Sequence, residues 1–196
     1  MRIALANDHT GYALKMEVKD WLLAHGHTVE DFGVNQGVQS VTYADYTFPA
    51  ARAVSEGRFD RGILIDGAGF PSAVLANVLP NARPAVCHDP FSCQIAREHT
   101  DSNILCLGGK VVGGGLALLI VEKFLATEFL AKYAERVEKV RQLKLQHVRS
   151  EALAPRKSLT VEDVQQAIRS RTPIVIDERT ILTPGVLDLA NNNALR

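Results

Sequence analysis

The chain has 196 residues, 46% of them hydrophobic, with 22 Lys and Arg against 22 Asp and Glu. That is enough for one well-formed core with a modest appendage. Zero net charge supplies no global field for nucleic acid or an anionic membrane, but it allows a local cationic cluster that holds a small anion.

In chain order, Ile3 to Ala6 reads as a buried strand ending in the polar turn Asn7-Asp8-His9-Thr10-Gly11. Ala13, Leu14, Met16, Val18, Trp21 and Leu22 recur at helical spacing, and Gly26 ends that helix. Thr28 to Phe32 is a second strand, 33–42 a loop, and Tyr46 to Glu56 a helix. Arg61 to Ile65 is an apolar strand running into Asp66-Gly67-Ala68-Gly69. A helix over Ala73 to Leu79, a strand over Pro84 to Cys87, a helix over Pro90 to His99 and a strand over Ile104 to Leu107 follow, then an apolar helix over Leu116 to Leu125. Short strands, apolar on both sides and alternating with helices, predict a parallel sheet covered on two faces. From Glu128 to Val148 charged residues at helical spacing predict a surface or partner-facing helix. Ser150 to Lys157 reads as a linker. The last stretch restarts a pattern: Thr160 as an N-cap with acids in the first turn, a helix to Ser170, a strand at Ile174 to Ile176 and a brief helix at Leu187 to Leu189. The expected division is a main domain over 1–149 and a small α/β extension over 150–196.

No apolar run approaches the ~18 residues of a membrane span. The start, Met1 to Leu5, is too short an apolar run for a signal sequence. Cys87, Cys93 and Cys106, an odd count without ligand spacing, read as free thiols in a reducing compartment, Cys87 and Cys106 as core thiols in apolar strands, so a cytoplasmic location is expected.

Polar residues recur just after the strands: Asp8 and His9, Asp66 to Gly69, His88 and Asp89, Gly108 and Gly109. Ligands of open α/β sheets bind at that edge. Backbone N–H groups of the turn Gly67-Ala68-Gly69 can form an anion hole for an enediolate, with Asp66 moving a proton between adjacent carbons. The plainer reading of Asp66 by itself is a cap on the turn or the following helix. His9 suits ring opening of a sugar because imidazole titrates near neutrality; it is otherwise a loop histidine. His99 closes a helix, where a dipole contact is the plain alternative. Lys132 and Arg136, four apart, can offer two positive heads to one phosphate or form a solvated face; Arg83 is a further cationic candidate. No spacing among Asp8, His9, His88, Asp89 and His99 resembles a metal motif.

Asn7-Asp8-His9-Thr10-Gly11-Tyr12-Ala13-Leu14-Lys15, Val29-Glu30-Asp31-Phe32-Gly33, Tyr43-Ala44-Asp45-Tyr46, Arg61-Gly62-Ile63-Leu64-Ile65, Ala82-Arg83-Pro84-Ala85-Val86-Cys87-His88-Asp89, Ala96-Arg97-Glu98-His99 and Leu107-Gly108-Gly109 together resemble the ribose-5-phosphate isomerase B family, which includes the galactose-6-phosphate isomerase subunits. The resemblance covers about residues 1 to 142. It implies a three-layer Rossmann-like sandwich with a five-stranded parallel sheet, a homodimer or tetramer with shared active sites, and cofactor-independent aldose–ketose isomerisation of a small sugar phosphate through an enediolate. It implies no metal or organic cofactor. Asp8 and His9 fall in its sugar-binding first loop, and His99 in ring opening. Tyr43 lines the pocket, Gly67, Ala68 and Gly69 form the anion hole with Asn77 in support, and Lys132 and Arg136 reach phosphate.

Several positions depart from that pattern. Asp66 stands where many members carry a cysteine base, Ala68 replaces a threonine, and Pro71 replaces a glycine. Val78 replaces a lysine, and Glu135 occupies a basic position. These changes fit a shifted substrate or a non-catalytic, accessory subunit. In the extension, Leu159 to Val164, Ile181 to Pro184 and Asp188 to Ala190 resemble short modules of bacterial microcompartment enzymes, which implies association with such a compartment.

Overall fold

Successive side chains of a strand point to opposite faces, so uniformly apolar strands need cover on both. In the computed structural model, which describes residues 1–35, 39–152, 158–170, 174, 176 and 178–191, the strands are β1 (Arg2–Asn7), β2 (Thr28–Asp31), β3 (Arg61–Asp66), β4 (Pro84–Val86) and β5 (Ile104–Gly108). They form one parallel sheet in the order β2-β1-β3-β5-β4. The connecting helices are α1 (Tyr12–Ala24), α2 (Tyr43–Ser55), α3 (Phe70–Ala76) and α4 (Pro90–Thr100), with α5 (Gly114–Ala126) after the last strand. Ile3, Leu5, Ile63, Ile65, Leu105 and Leu107 pack on Leu14, Val18 and Leu22 of α1, Cys93 of α4, and Ile120 and Phe124 of α5. Ala4, Ala6, Leu64, Ile104 and Cys106 face the other way, onto Ala50, Ala51 and Val54 of α2 and Ala76 of α3. One face is therefore dominated by large aliphatic side chains, and the other mixes Leu64 and Ile104 with many alanines. The expected three-layer sandwich with a five-stranded parallel sheet is the architecture the chain adopts.

Two helices begin three residues earlier than their apolar spacing predicts. α2 starts at Tyr43, placing that residue in its first turn beside the acidic Asp45. α3 starts at Phe70 because Gly69, at φ 82°, supplies a left-handed N-cap, and Pro71 sits in the first turn where its missing N–H matters least. The charged stretch is not one continuous helix either. A 3-10 turn over Ala131–Tyr133 precedes α6 (Ala134–Ala152).

The chain divides into two compact units, Met1–Arg141 and Gln142–Arg196. In the second, β6 (Ser158–Leu159) pairs in parallel with β7 (Ile181–Leu182), and α7 (Val161–Ser170) and α8 (Pro184–Asn191) complete it. Leu159, Val164 and Val186 form its small core. Thr160 and Asp163 cap α7 reciprocally: Asp163 accepts from the Thr160 N–H and hydroxyl, and the Asp163 N–H donates to Thr160 Oγ1. The strand expected over 174–176 is instead at Ile181–Leu182; Ile174 and Ile176 lie outside any strand, and Val175 is outside the described residues. Of the expected linker, Ser150 to Ala152 belong to α6 and 153–157 lie outside the described residues. Among the described residues no helix is long and apolar enough to cross a membrane.

A buried cation locks the start of the first unit. Lys15, 1% exposed, donates to the Val34 carbonyl at 2.8 Å and to Asp31 Oδ1 at 3.2 Å, and Lys19 reaches Asp31 Oδ2 at 2.9 Å. Burial pushes the Asp31 carboxyl up, but hydrogen bonds from Lys19, the Gly33 N–H and Lys15 outweigh it and hold the group below its ordinary range. A folded-state value below the unfolded one means stabilisation that is present above the ordinary carboxylate range and lost as pH falls through the folded value. Asp31→Asn therefore lowers stability at neutral pH and flattens the further loss below about pH 4, as read by urea unfolding across pH.

Candidate active site

The carboxyl ends of β1, β3 and β5 lie side by side, and their loops are tied together. The Asp8 N–H donates to the Ile65 carbonyl (3.1 Å), the Gly109 N–H to the Asp66 carbonyl (2.7 Å) and the Lys110 N–H to the Gly67 carbonyl (3.1 Å). The approach is close enough that a Cβ on Gly11 would stand 2.5 Å from the Ile65 carbonyl oxygen. Three of the four polar strand ends picked out from the sequence thus meet on one edge.

Asp66 ends β3 on the side that faces α3. It is 1% exposed, and both oxygens of its carboxylate accept from backbone. Oδ1 accepts from the N–H groups of Ala68 (2.9 Å) and Gly69 (2.6 Å), and Oδ2 accepts from Ser72 (2.9 Å) in the first turn of α3. The expected anion hole therefore takes a different form: the N–H groups of Ala68 and Gly69 converge on a carboxylate of the chain itself. Asn77, expected beneath the hole, follows the last residue of α3 and is exposed. A seven-residue helix, about 10 Å of rise, separates it from Gly69.

Asp8 is bonded differently. Its Oδ1 accepts from the Thr10 N–H (2.8 Å) and the Thr10 hydroxyl (2.6 Å), while Oδ2 accepts from no described residue. Thr10 Oγ1 lies 3.4 Å from where a Cβ of Gly67 would be, so this pair borders the turn after β3. His9 Nδ1 accepts from the Val41 N–H at 3.4 Å, which brings the first loop to the segment leading into Tyr43.

His99, Lys132 and Arg136 form a second cluster around Tyr133. The His99 and Tyr133 rings are 4.2 Å apart, with Lys132 Nζ 5.1 Å and Arg136 Cζ 4.9 Å from the Tyr133 centroid. Tyr133 was not among the expected site residues; its position between the two basic residues was the available signal. α4 leaves β4 at the carboxyl edge and returns across the sheet, so His99, in its last turn, lies at the amino edge. There Arg83 bonds Asp101 and Asn103 just before β5. Within one chain, the His99 cluster and the Asp8–Asp66 edge lie at opposite ends of the sheet.

Of the remaining candidates, Asp89 and Arg83 have structural hydrogen-bond partners. Asp89 caps α4, and the hydrogen bonds from the Ser92 side chain and backbone hold its carboxyl below the ordinary range. His88 lies edge-on to Phe70 at 6.0 Å. Arg83 is ion-paired with Asp101 at 2.5 Å. All three cysteines are buried. A hydrogen bond from Cys93 lowers the Cys87 thiol, the same bond raises Cys93, and burial raises Cys106.

Residues 3–140 match the family model described as Ribose/Galactose Isomerase. The chain belongs to this family. It is 40% identical over 141 residues to a putative sugar phosphate isomerase of Bacillus subtilis, covering 71% of this chain and 95% of that protein. It is 33% identical over 141 residues to a D-erythrulose-4-phosphate isomerase of Pectobacterium atrosepticum, covering 71% and 93%. The solved ribose-5-phosphate isomerase B of Clostridium thermocellum superposes with a TM-score of 0.72 at 42% identity, covering 75% of this chain and 99% of that one. The chain is accordingly an aldose–ketose isomerase of the ribose-5-phosphate isomerase B type, and the family match ends where the first compact unit ends.

Asp66 gives this ribose/galactose isomerase a testable internal brace. Asp66→Ala strands three N–H groups at a buried site and should lower unfolding free energy by at least about 2 kcal/mol, measured by urea denaturation. A change below about 0.5 kcal/mol would remove the brace.

Proposed function

We propose that the chain interconverts a four- or five-carbon aldose phosphate and its ketose through an enediolate, in a site completed by a second copy of the chain. The observation that carries this reading is the separation of the two clusters. The Asp8, His9 and Gly67 edge offers groups for proton transfer and hydroxyl binding, and the Lys132, Tyr133 and Arg136 edge offers the cationic groups a phosphate needs. A C2-symmetric pair can bring the first edge of one protomer to the second edge of its partner. Proton transfer between adjacent carbons is redox-neutral overall, so the chemistry calls for no redox cofactor.

In this reading the sugar hydroxyls meet Asp8, His9 and Tyr43, and His99 protonates the ring oxygen of a cyclic substrate. Asp66 with Gly67, Ala68 and Gly69 fixes the turn against which the reacting carbons lie. Four- and five-carbon substrates are favoured because relatives bear the names of isomerases for both. Charge-assisted bonds to phosphate contribute about 1.5–3 kcal/mol each, so Lys132→Ala and Arg136→Ala should each raise KM roughly 10- to 100-fold with smaller effects on kcat. The wild-type chain, assayed alone against tetrose, pentose and hexose phosphates, should turn over at least one of the shorter two; silence on all of them would favour an accessory subunit.

The surface that supports self-association is the outer face of α3 and its C-terminal end. Phe70, Val74 and Val78 are 59%, 70% and 64% exposed at successive helical turns. Val74→Asp should shift the assembly toward monomer in sedimentation velocity and lower activity in parallel. A monomeric wild type would refute the shared site. The C-terminal unit, with its own small core, is proposed to serve assembly, including association with a microcompartment.

A further inference from the structure

Two carboxylates border the carboxyl edge, and their surroundings divide them. Both oxygens of Asp66 accept backbone N–H groups, and the residue is 1% exposed. Those three N–H groups take three of the roughly four lone-pair sites of the Asp66 carboxylate, and a proton placed on either oxygen would weaken bonds to buried donors. Asp8 has one oxygen held by two donors of Thr10, which fixes the plane of its carboxylate, and the other oxygen accepts nothing from the described residues. Thr10 also borders the turn at Gly67, where an added Cβ would stand 3.4 Å from its hydroxyl, so the unbonded oxygen belongs to the same edge as the Asp66 loop. A base must be within reach of its proton and have a lone pair to offer; Asp8, 8% exposed, offers a whole unbonded oxygen, whereas both oxygens of the 1% exposed Asp66 are already bonded.

We propose that Asp8 Oδ2 is the proton carrier of the isomerisation, that Thr10 is its positioning residue, and that Asp66 positions the turn without exchanging protons with substrate. The assignment rests on the isomerase reading above. From an aldose, Asp8 takes the C2 proton; the C2–H electron pair forms the C1–C2 double bond, and the carbonyl π pair moves to O1. The O2 proton passes to O1, O2 becomes the ketone oxygen, and the carboxyl returns its proton to C1. The carboxylate is regenerated, and no oxidant or reductant is consumed.

Ring opening can be removed from the test by starting from ketoses. D-erythrulose 4-phosphate and D-ribulose 5-phosphate cannot close a five-membered ring, because the hydroxyl that would do so is absent or esterified. The experiment follows deuterium entering C1 of each ketose by NMR in deuterium oxide, with the full-length chain. Asp8→Asn keeps the Oδ1 acceptor for Thr10 and should slow exchange by about 10²–10⁴-fold with little change in KM. Thr10→Val should lower kcat with KM nearly constant, and Thr10→Ser should restore it. If Asp8→Asn does not fold, the Thr10 pair still decides: equal kcat in Thr10→Val and wild type overturns the assignment. Undiminished exchange by a folded Asp8→Asn overturns it too, as does a loss confined to Asp66→Asn of wild-type thermal stability. If the wild-type chain exchanges a proton from neither ketose, the isomerase reading itself fails, a result distinct from exchange that survives in Asp8→Asn.

Discussion

The arrangement of the site depends on one carboxylate filling its own turn. Asp66 is the last residue of β3, and the side-chain alternation of the strand decides where it points. Leu64 faces α2 and α3, Ile65 faces α1 and α5, and Asp66 returns to the α3 side. There it meets the N–H groups of Ala68, Gly69 and Ser72. A negative charge at the start of a helix is favoured, and three donors remove the cost of burying it. Pro71 is compatible with this bracing because its missing N–H is not one of the three. The same bonding that stabilises the turn spends the groups that would otherwise face an incoming anion.

Parallel topology then sets the second constraint. Each helix returns the chain to the amino edge, so a residue late in a helix lies at the opposite end from the strand-end loop before it. His99 is late in α4, and Tyr133 gathers it with Lys132 and Arg136. Asp8 and Gly67 lie in strand-end loops. No local rearrangement within one sheet unites these sets, whereas a two-fold axis can. The apolar face of α3 begins at Phe70, directly after the turn held by Asp66, which links the packing of that turn to the surface beside it.

Much of this was legible in the sequence because it follows from short-range rules. The apolar runs gave the five strands, and the polar residues after them gave the edge. Thr160 and Asp163 gave the cap of α7. What escaped notice depends on groups that meet only in three dimensions. The role of Ser72 rests on its backbone N–H, which every residue except proline has, so no side-chain pattern could announce it. The early start of α3 depends on the left-handed backbone of Gly69, within a segment read as loop. Tyr133 sits in a charged stretch whose periodicity suggested one continuous helix; the 3-10 turn that aims its ring at His99 breaks that period. The short pairing of β6 with β7 involves only two residues on each side, below the length at which alternation can be recognised.

Asp8 and Asp66 show why residue type alone underdetermines chemistry. Both are aspartates at strand ends, at neighbouring positions of one sheet edge, and the family pattern draws the eye to Asp66 because the base of many members stands there. A thiol at that position has little capacity to accept backbone hydrogen bonds, so it leaves the turn's N–H groups available to a ligand. A carboxylate, one bond longer, reaches the N–H groups of Ala68, Gly69 and Ser72 and accepts from all three. Exchanging cysteine for aspartate therefore changes more than the strength of a base: it braces the turn from within, which is why the proposed assignment moves the proton transfer to the carboxylate with an unbonded oxygen. In that proposal the group is Asp8, whose single bonded oxygen is held by Thr10 beside the turn that Asp66 braces.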